Sequence, residues 1–136
     1  MSENSARLPA ISLAASVILG ASVAAFAQSE LPRSKVCSAE DGGWSTAGSV
    51  PSTGQITMNN DGGWCGQTLG IKFNSVIFGG AMHLTQQPAH GQVSIAFHQG
   101  GTDVFYKPNP GYKGPDKFSV LIDFYNIDKP YDVTVQ

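Results

Sequence analysis

The chain has 136 residues, with 8 Lys and Arg against 10 Asp and Glu and a formal net charge of −2. This near-balance contains no run of like charge, which argues against a nucleic-acid partner and against a polybasic patch for an anionic membrane surface. Charged residues make up only 13% of the chain, which also carries 16 Gly and 8 Pro; that balance favours a turn-rich β fold over helices.

Residues 1–8 are polar with one arginine, Arg7, and lead into Ile11–Ala24, an uncharged run of Ile, Leu, Val, Ala, Ser and Gly. The run ends in Ala25-Phe26-Ala27, with small residues where a signal peptidase must fit, followed by the polar Gln28-Ser29-Glu30. This order is that of a secretory signal, with cleavage expected after Ala27. The run is shorter than the roughly 20 residues a spanning helix needs, so no membrane span is expected in the mature form. The first cysteine is Cys37, well past the apolar run, which argues against a lipid anchor. Residues 28–136 then form one domain with a modest core, expected in the periplasm or outside the cell.

Cys37 and Cys65 are the two cysteines, and an exported chain meets an oxidising compartment in which such a pair closes. Cys-x-x-Cys spacing is absent, so the expected Cys37–Cys65 disulfide is structural rather than redox-active.

Beyond the leader, apolar residues alternate or form short blocks between Gly, Pro and Asn, and the chain reads as strands. Val36–Ser38 is a short first strand, and Gln55–Asn59 alternates through Ile56 and Met58. Leu69–Phe73 and Val76–Phe78 follow, with a bend at Asn74-Ser75. Met82–Thr85 stops before Pro88, and Gln92–His98 places Val93, Ile95 and Phe97 on one face. Gly100-Gly101 turns the chain into Val104–Lys107, because glycine reaches positive φ without steric cost. Lys117–Tyr125 places Phe118, Val120, Ile122 and Phe124 on one face. Asn126–Pro130 forms the last turn, and Tyr131, Val133 and Val135 alternate to the end. The prolines 88, 108, 110, 115 and 130 fall between strand candidates, where a missing N–H harms no ladder. The reading is all-β, with seven to eight strands in a two-sheet sandwich.

Leu84-Thr85-Gln86-Gln87-Pro88-Ala89-His90-Gly91-Gln92-Val93 resembles the L-x-x-x-P-x-H-G-x-V opening of bacterial immunoglobulin-like, cadherin-like domains. Residues 105–120 are similar to that family's signature Y-x-P-x-x-G-[YF]-x-G-x-D-x-F-x-[VY], through Tyr106, Pro108, Gly111, Tyr112, Gly114, Asp116, Phe118 and Val120. Tyr131–Val135 looks like the family's last strand. The resemblance covers about half of residues 28–136 and implies an immunoglobulin-like sandwich with a role in surface or periplasmic interactions and no catalytic residues. In physical terms Gly111 and Gly114 bracket a tight connection, Tyr112 packs across it, Asp116 accepts backbone N–H bonds before the strand, and Phe118 enters the core. A calcium role for Asp116 would need several more oxygen ligands, and Asp103, Asp123, Asp128 and Asp132 form no dense acidic motif. No cofactor or metal is therefore expected.

Residues 28–83 do not map onto that pattern. Asp41-Gly42-Gly43-Trp44 recurs as Asp61-Gly62-Gly63-Trp64, and the disulfide would hold the two copies in one neighbourhood. Trp44 and Trp64 are candidate binding residues, since indoles offer flat apolar faces with an N–H handle to sugars or peptides. Alternatively each Asp-Gly-Gly makes a turn and each Trp caps the core or packs on the disulfide.

Catalytic patterns are lacking: there is no Gly-x-Ser-x-Gly elbow, no His-Glu-x-x-His and no phosphate-cradling glycine loop before a helix. His83, His90 and His98, with Met58 and Met82, raise a metal-handling or hydrolytic alternative. Met82 and His83 should point to opposite faces of a strand, and the histidine spacing matches no metal site. The preferred expectation is a non-catalytic envelope module that meets a protein or glycan. Its sheet edges would be open to pairing with a second copy.

Overall fold

The computed structural model describes residues 31–42, 53–73, 76–78, 80–123 and 125–136, with 71–73 and 76–78 described by backbone alone. The leader, Trp44, the Asn74-Ser75 bend and Phe124 lie outside these residues.

The described residues form strands and no helix. In chain order the strands are β1 (Cys37–Glu40), β2 (Gly54–Met58), β3 (Cys65–Leu69), β4 (Ile71–Phe73), β5 (Val76–Phe78), β6 (Met82–Gln86), β7 (Gly91–His98), β8 (Gly101–Pro108), β9 (Gly114–Ile122) and β10 (Ile127–Val135). One sheet has the order β1-β2-β10-β9-β6 and a second the order β3-β8-β7, while β4 and β5 pair as a separate two-stranded ribbon. Ladders are antiparallel except that between β2 and β10, which is parallel.

Ten strands replace the seven to eight expected. The run expected over Leu69–Phe73 divides at Gly70, its first half extending back to Cys65 as β3 and its second half leaving the main sheet to pair with β5. No apolar alternation marks Cys65-Gly66-Gln67-Thr68, so β3 was hidden in the sequence; its pairing with β8, not its own pattern, fixes it.

Three of the five prolines expected between strands lie in them: Pro108 is the last residue of β8, and the other two lie further inside. Pro115 is the second residue of β9, and Pro130 falls within β10 rather than in the last turn. Both are tolerated because each strand is flanked on one side only at that point. Pairing of β10 with β2 begins at Tyr131, and pairing of β6 with β9 reaches back only to Ser119, so a missing N–H interrupts no second ladder. The β7–β8 turn is also displaced by one residue. His98 pairs with Gly101, leaving Gln99-Gly100 as the loop and the positive φ at Gly101, 150°.

The alternation that was legible does build the core. Ile56 and Met58 of β2, Phe118, Val120 and Ile122 of β9, and Tyr131, Val133 and Val135 of β10 face inward from the five-stranded sheet. Cys65, Leu69, Val104 and Tyr106 meet them from β3 and β8, so the layers share one core, as in a sandwich. Each such side chain contributes roughly 1.5–3 kcal/mol on burial. Phe118 joins the two layers, its ring 6.1 Å from that of Tyr106 and 4.8 Å from that of Tyr131, near-parallel to both. Val93 and Ile95 pack on this core, but Phe97, expected beside them, is 62% exposed at the far end of β7.

The Cys37–Cys65 disulfide forms, with Cα atoms 5.4 Å apart. It ties β1, an edge of the five-stranded sheet, to the first residue of β3 in the other layer.

The alternation did not reveal Lys129. This residue lies on the inward face of β10 with no exposed surface, and its ammonium is 2.7 Å from Asp41 Oδ1 and 2.5 Å from the Asp41 carbonyl oxygen. The carboxylate supplies the countercharge that makes a buried ammonium tolerable, and removing one member of such a pair costs more than removing both.

Two outcomes are expected. Asp41→Ala, which strands a fully buried ammonium, should lower the unfolding free energy by about 3 kcal/mol, and Lys129→Met, which leaves only the partly exposed Asp41 carboxylate, by clearly less; urea titrations of the two variants check the order. Reducing the disulfide should remove about 3.5 kcal/mol, the loop-entropy value for a separation of 28 residues, read as the shift in urea midpoint with and without reductant.

Candidate functional site

Tyr106, Pro108, Gly111, Tyr112, Gly114, Asp116 and Phe118 gather where three connections meet, and Asp116 is at their centre. It is only 8% exposed. Its Oδ1 accepts the backbone N–H of Ala89 and of Lys117, each at 2.9 Å, and its Oδ2 accepts the N–H of His90 at 2.9 Å and the hydroxyl of Tyr106 at 2.8 Å. Burial alone would raise the Asp116 carboxyl, but the bonds from Tyr106, His90, Lys117 and Ala89 outweigh it and hold the group below the ordinary aspartate value. The same contact works in reverse on Tyr106, whose phenol is raised first by burial and then by Asp116.

Around this carboxylate, Tyr112 stacks on the His90 ring with centroids 4.1 Å apart, and its hydroxyl donates to the Pro115 carbonyl. Gly111 and Gly114 take positive φ, 78° and 132°. Pro108 closes β8 opposite Gly91. Asn60 donates to the carbonyls of Asn109 and Tyr112 at 2.8 and 2.9 Å, bringing the unmatched half of the chain onto the signature loop. Phe118 follows into the core. Every polar group here is satisfied by backbone or by a neighbour, an arrangement that fixes loops.

The second copy of Asp-Gly-Gly-Trp forms a turn. Asp61 Oδ1 accepts the Gly63 N–H at 3.0 Å and Oδ2 the Lys35 N–H at 2.8 Å, and Gly62 has φ 83°. These bonds, that from Lys35 foremost, lower the Asp61 carboxyl. The first copy has a different use, since Asp41 faces Lys129; the repeat carries no common role. Trp44 lies outside the described residues.

Trp64 is half-buried and stands one residue before the inward Cys65, so its indole points to the outer face of the three-stranded sheet. Strand alternation places Asp103, Phe105 and Lys107 of β8, Gly66 and Thr68 of β3, and Gln92, Ser94, Ala96 and His98 of β7 on the same face. Residues 32–34 run alongside. The Trp64 N–H donates to the Pro32 carbonyl at 2.8 Å and the Ser34 N–H to the Trp64 carbonyl at 3.0 Å, which sets Arg33 beside β3. The Arg33 guanidinium then lies 3.9 Å from the centre of the Phe105 ring, and Lys107 Nζ lies 5.8 Å from the Trp64 ring. Phe105 can lie flat because its strand neighbour is Gly66, where a Cβ would come 2.8 Å from the ring. At the other end of the face Asp103 is engaged by Thr68 at 2.5 Å and by His98 Nε2 at 3.1 Å.

Sequence reasoning found Trp64 here and missed Arg33, Phe105 and Lys107. Phe105 stands just before the pattern that begins at Tyr106 and Lys107 at an unspecified position within it, and only the alternation of β8 could have placed them together.

The three histidines each have a different partner. His83 Nδ1 is 2.7 Å from Asp123 Oδ1, His90 is stacked on Tyr112, and His98 is on Asp103. Met82 packs on the core while His83 faces outward. Among the described residues no group of three or more His, Cys, Asp or Glu is placed to hold a metal ion.

Comparison with family models, with curated proteins and with solved structures finds no match in any of the three.

Asp116→Asn should lower the unfolding free energy by about 3 kcal/mol, because an amide NH₂ would face N–H donors. The lowered carboxyl also fixes a sign. Its contribution is present above the unfolded aspartate value of about 3.9 and is lost as the pH falls through the lower folded value. Stability measured from pH 6 down to pH 2 should therefore fall less steeply in the variant than in the parent.

Proposed function

We propose that the chain is an exported, non-catalytic interaction module of the bacterial cell envelope, built on an immunoglobulin-like sandwich and released from its leader after Ala27. The family-like signature over Tyr106–Val120 supports the fold reading, and so does the strand order. If β2, β3, β6, β7, β8, β9 and β10 are taken as the seven strands of such a domain, the second, fifth and fourth form one sheet and the seventh, sixth and third share the other. Only the first strand departs from the constant-type arrangement, pairing in parallel with the last strand instead of joining the second. The disulfide also differs, joining the strand ahead of this set to the second strand instead of bridging second and sixth. That bond is consistent with an oxidising compartment.

One observation carries the interaction reading: the outer face of β3-β8-β7 presents a half-buried indole, Trp64, with Lys107 beside it, and an exposed Arg33 whose guanidinium lies over the buried Phe105 ring. Surface aromatics are normally minimised, and aromatic plus Arg pairs are what interfaces concentrate. The protein or glycan bound would lie across Trp64, Arg33 and Lys107. The non-catalytic reading is supported by the signature residues being committed to loop and core contacts and by the histidines being engaged separately.

The test is retention of envelope material on the immobilised chain. Trp64→Ala should reduce the retained protein and glycan about tenfold, while Asp132→Asn, on the opposite sheet, leaves it unchanged, with urea unfolding confirming that both variants are folded. Equal retention by folded Trp64→Ala would refute the assignment of this face.

A further inference from the structure

We infer that the outer face of β3-β8-β7 takes an acidic polysaccharide, a glycan bearing carboxylate groups, with Arg33 and Lys107 receiving the carboxylates and Trp64 receiving a sugar ring. This rests on the interaction reading above and names its ligand.

Charge is the first argument. Among the described residues neither Arg33 nor Lys107 enters an ion pair, although the chain as a whole is acidic. The carboxylates on or beside this face are engaged locally, Asp103 by Thr68 and His98, and Asp61 by two backbone N–H groups. On the opposite sheet Glu40, Asp128 and Asp132 are exposed on or beside the outer side, where Thr85 bonds Asp128 and Lys117 stands opposite Asp132. Arg33 and Lys107 are therefore the counter-charges that a polyanion would find on the β3-β8-β7 face.

Geometry is the second. The Arg33 guanidinium lies over the Phe105 ring while the residue stays exposed, and a guanidinium fork matches a carboxylate with two parallel bonds. Lys107 is two residues along the same strand, on the same face, and adds a point charge beside the indole of Trp64. An indole offers a flat apolar surface to the C–H face of a sugar and an N–H to its hydroxyls. Towards β7 the floor is built from the small side chains of Ser94 and Ala96, between Gln92 and His98. A neutral glycan would leave both cations without a counter-group, whereas an acidic glycan engages the cations through its carboxylates and the indole through the C–H face of a sugar ring.

The experiment is affinity electrophoresis of the full chain, purified after export by an expression host, through gels containing polygalacturonate, neutral dextran or poly-glutamate. Retardation by polygalacturonate should exceed that by poly-glutamate by about tenfold or more, and dextran should not retard. Arg33→Gln and Lys107→Gln should each weaken polygalacturonate binding about tenfold, the worth of a charged hydrogen bond. Lys117→Gln, on the opposite sheet, should bind as the parent does, and urea unfolding confirms that all variants are folded. Equal retardation by poly-glutamate and polygalacturonate, or a stronger effect of poly-glutamate, overturns the glycan while leaving the face as an interaction surface. Equal retardation by dextran, or insensitivity to Arg33→Gln and Lys107→Gln, overturns the role of the cations. If no polymer retards the chain, the ligand class falls. The interaction reading then stands or falls separately, on whether Trp64→Ala still reduces envelope retention.

Discussion

A single carboxylate holds together three stretches of chain that belong to different layers. Asp116 begins the usable length of β9 in the five-stranded sheet, Ala89 and His90 lie on the crossover from β6 to β7, and Tyr106 belongs to β8 in the three-stranded sheet. A crossover between sheets leaves backbone N–H groups that no ladder satisfies, and burying them unpaired would cost more than most side-chain contacts contribute. Because Asp116 accepts two of them together with the Tyr106 hydroxyl, the crossover can stay short and the layers are held in fixed register. The aromatic column of Tyr106, Phe118 and Tyr131 then fills the space that this register defines.

Once that frame is set, the two layers serve different ends. The five-stranded sheet is stitched by the disulfide at its β1 edge and by Asp41, just after β1, over the buried Lys129 of its central strand β10, and its inner face supplies most of the core. The three-stranded sheet also uses its inner face for packing, but its outer face is held from behind by the central strand β8. Tyr106, locked to Asp116, is flanked on that strand by Phe105 and Lys107, which point the other way. Hydrogen bonds that stabilise the interior thus also position the surface residues, and the platform is rigid without needing a pocket.

How much of this the sequence disclosed follows from which patterns are local. Ile56 and Met58, the alternation through Phe118, Val120 and Ile122, and the closing Tyr131, Val133 and Val135 announced their strands, and all eight side chains are buried. The disulfide was legible from the cysteine count and the expectation of export. By contrast β3 has no alternation of its own, and Pro115 and Pro130 appeared to exclude strands that exist because each lies where only one neighbour is paired. Lys129 fell in the expected last turn, since nothing nearby in sequence shows that Asp41, 88 residues away, will face it. The doubled Asp-Gly-Gly-Trp drew attention to two loops, but the two aspartates have unrelated partners, so the repeat misled as to a shared role.

The outer face was the least legible part because it is assembled from four non-adjacent pieces: the segment before β1, the residue before β3, and alternate positions of β8 and β7. Its chemistry still follows from one local circumstance. Gly66 leaves the sheet without a side chain beside Phe105, so the ring can lie down over the gap instead of standing into solvent. A flat ring exposes its π face, and a cation is the cheapest cover for such a face because the ring quadrupole attracts it while its charged edge stays wet. Arg33 supplies that cover only because Pro32 and Ser34 bond to Trp64 on either side of it. The same two bonds therefore place the guanidinium over Phe105 and hold Trp64 on the outer face. Removing Phe105 or Gly66 would disturb the presentation of Arg33 as surely as removing Arg33 itself, which is why the charge, and not the ring beneath it, is the informative group to alter.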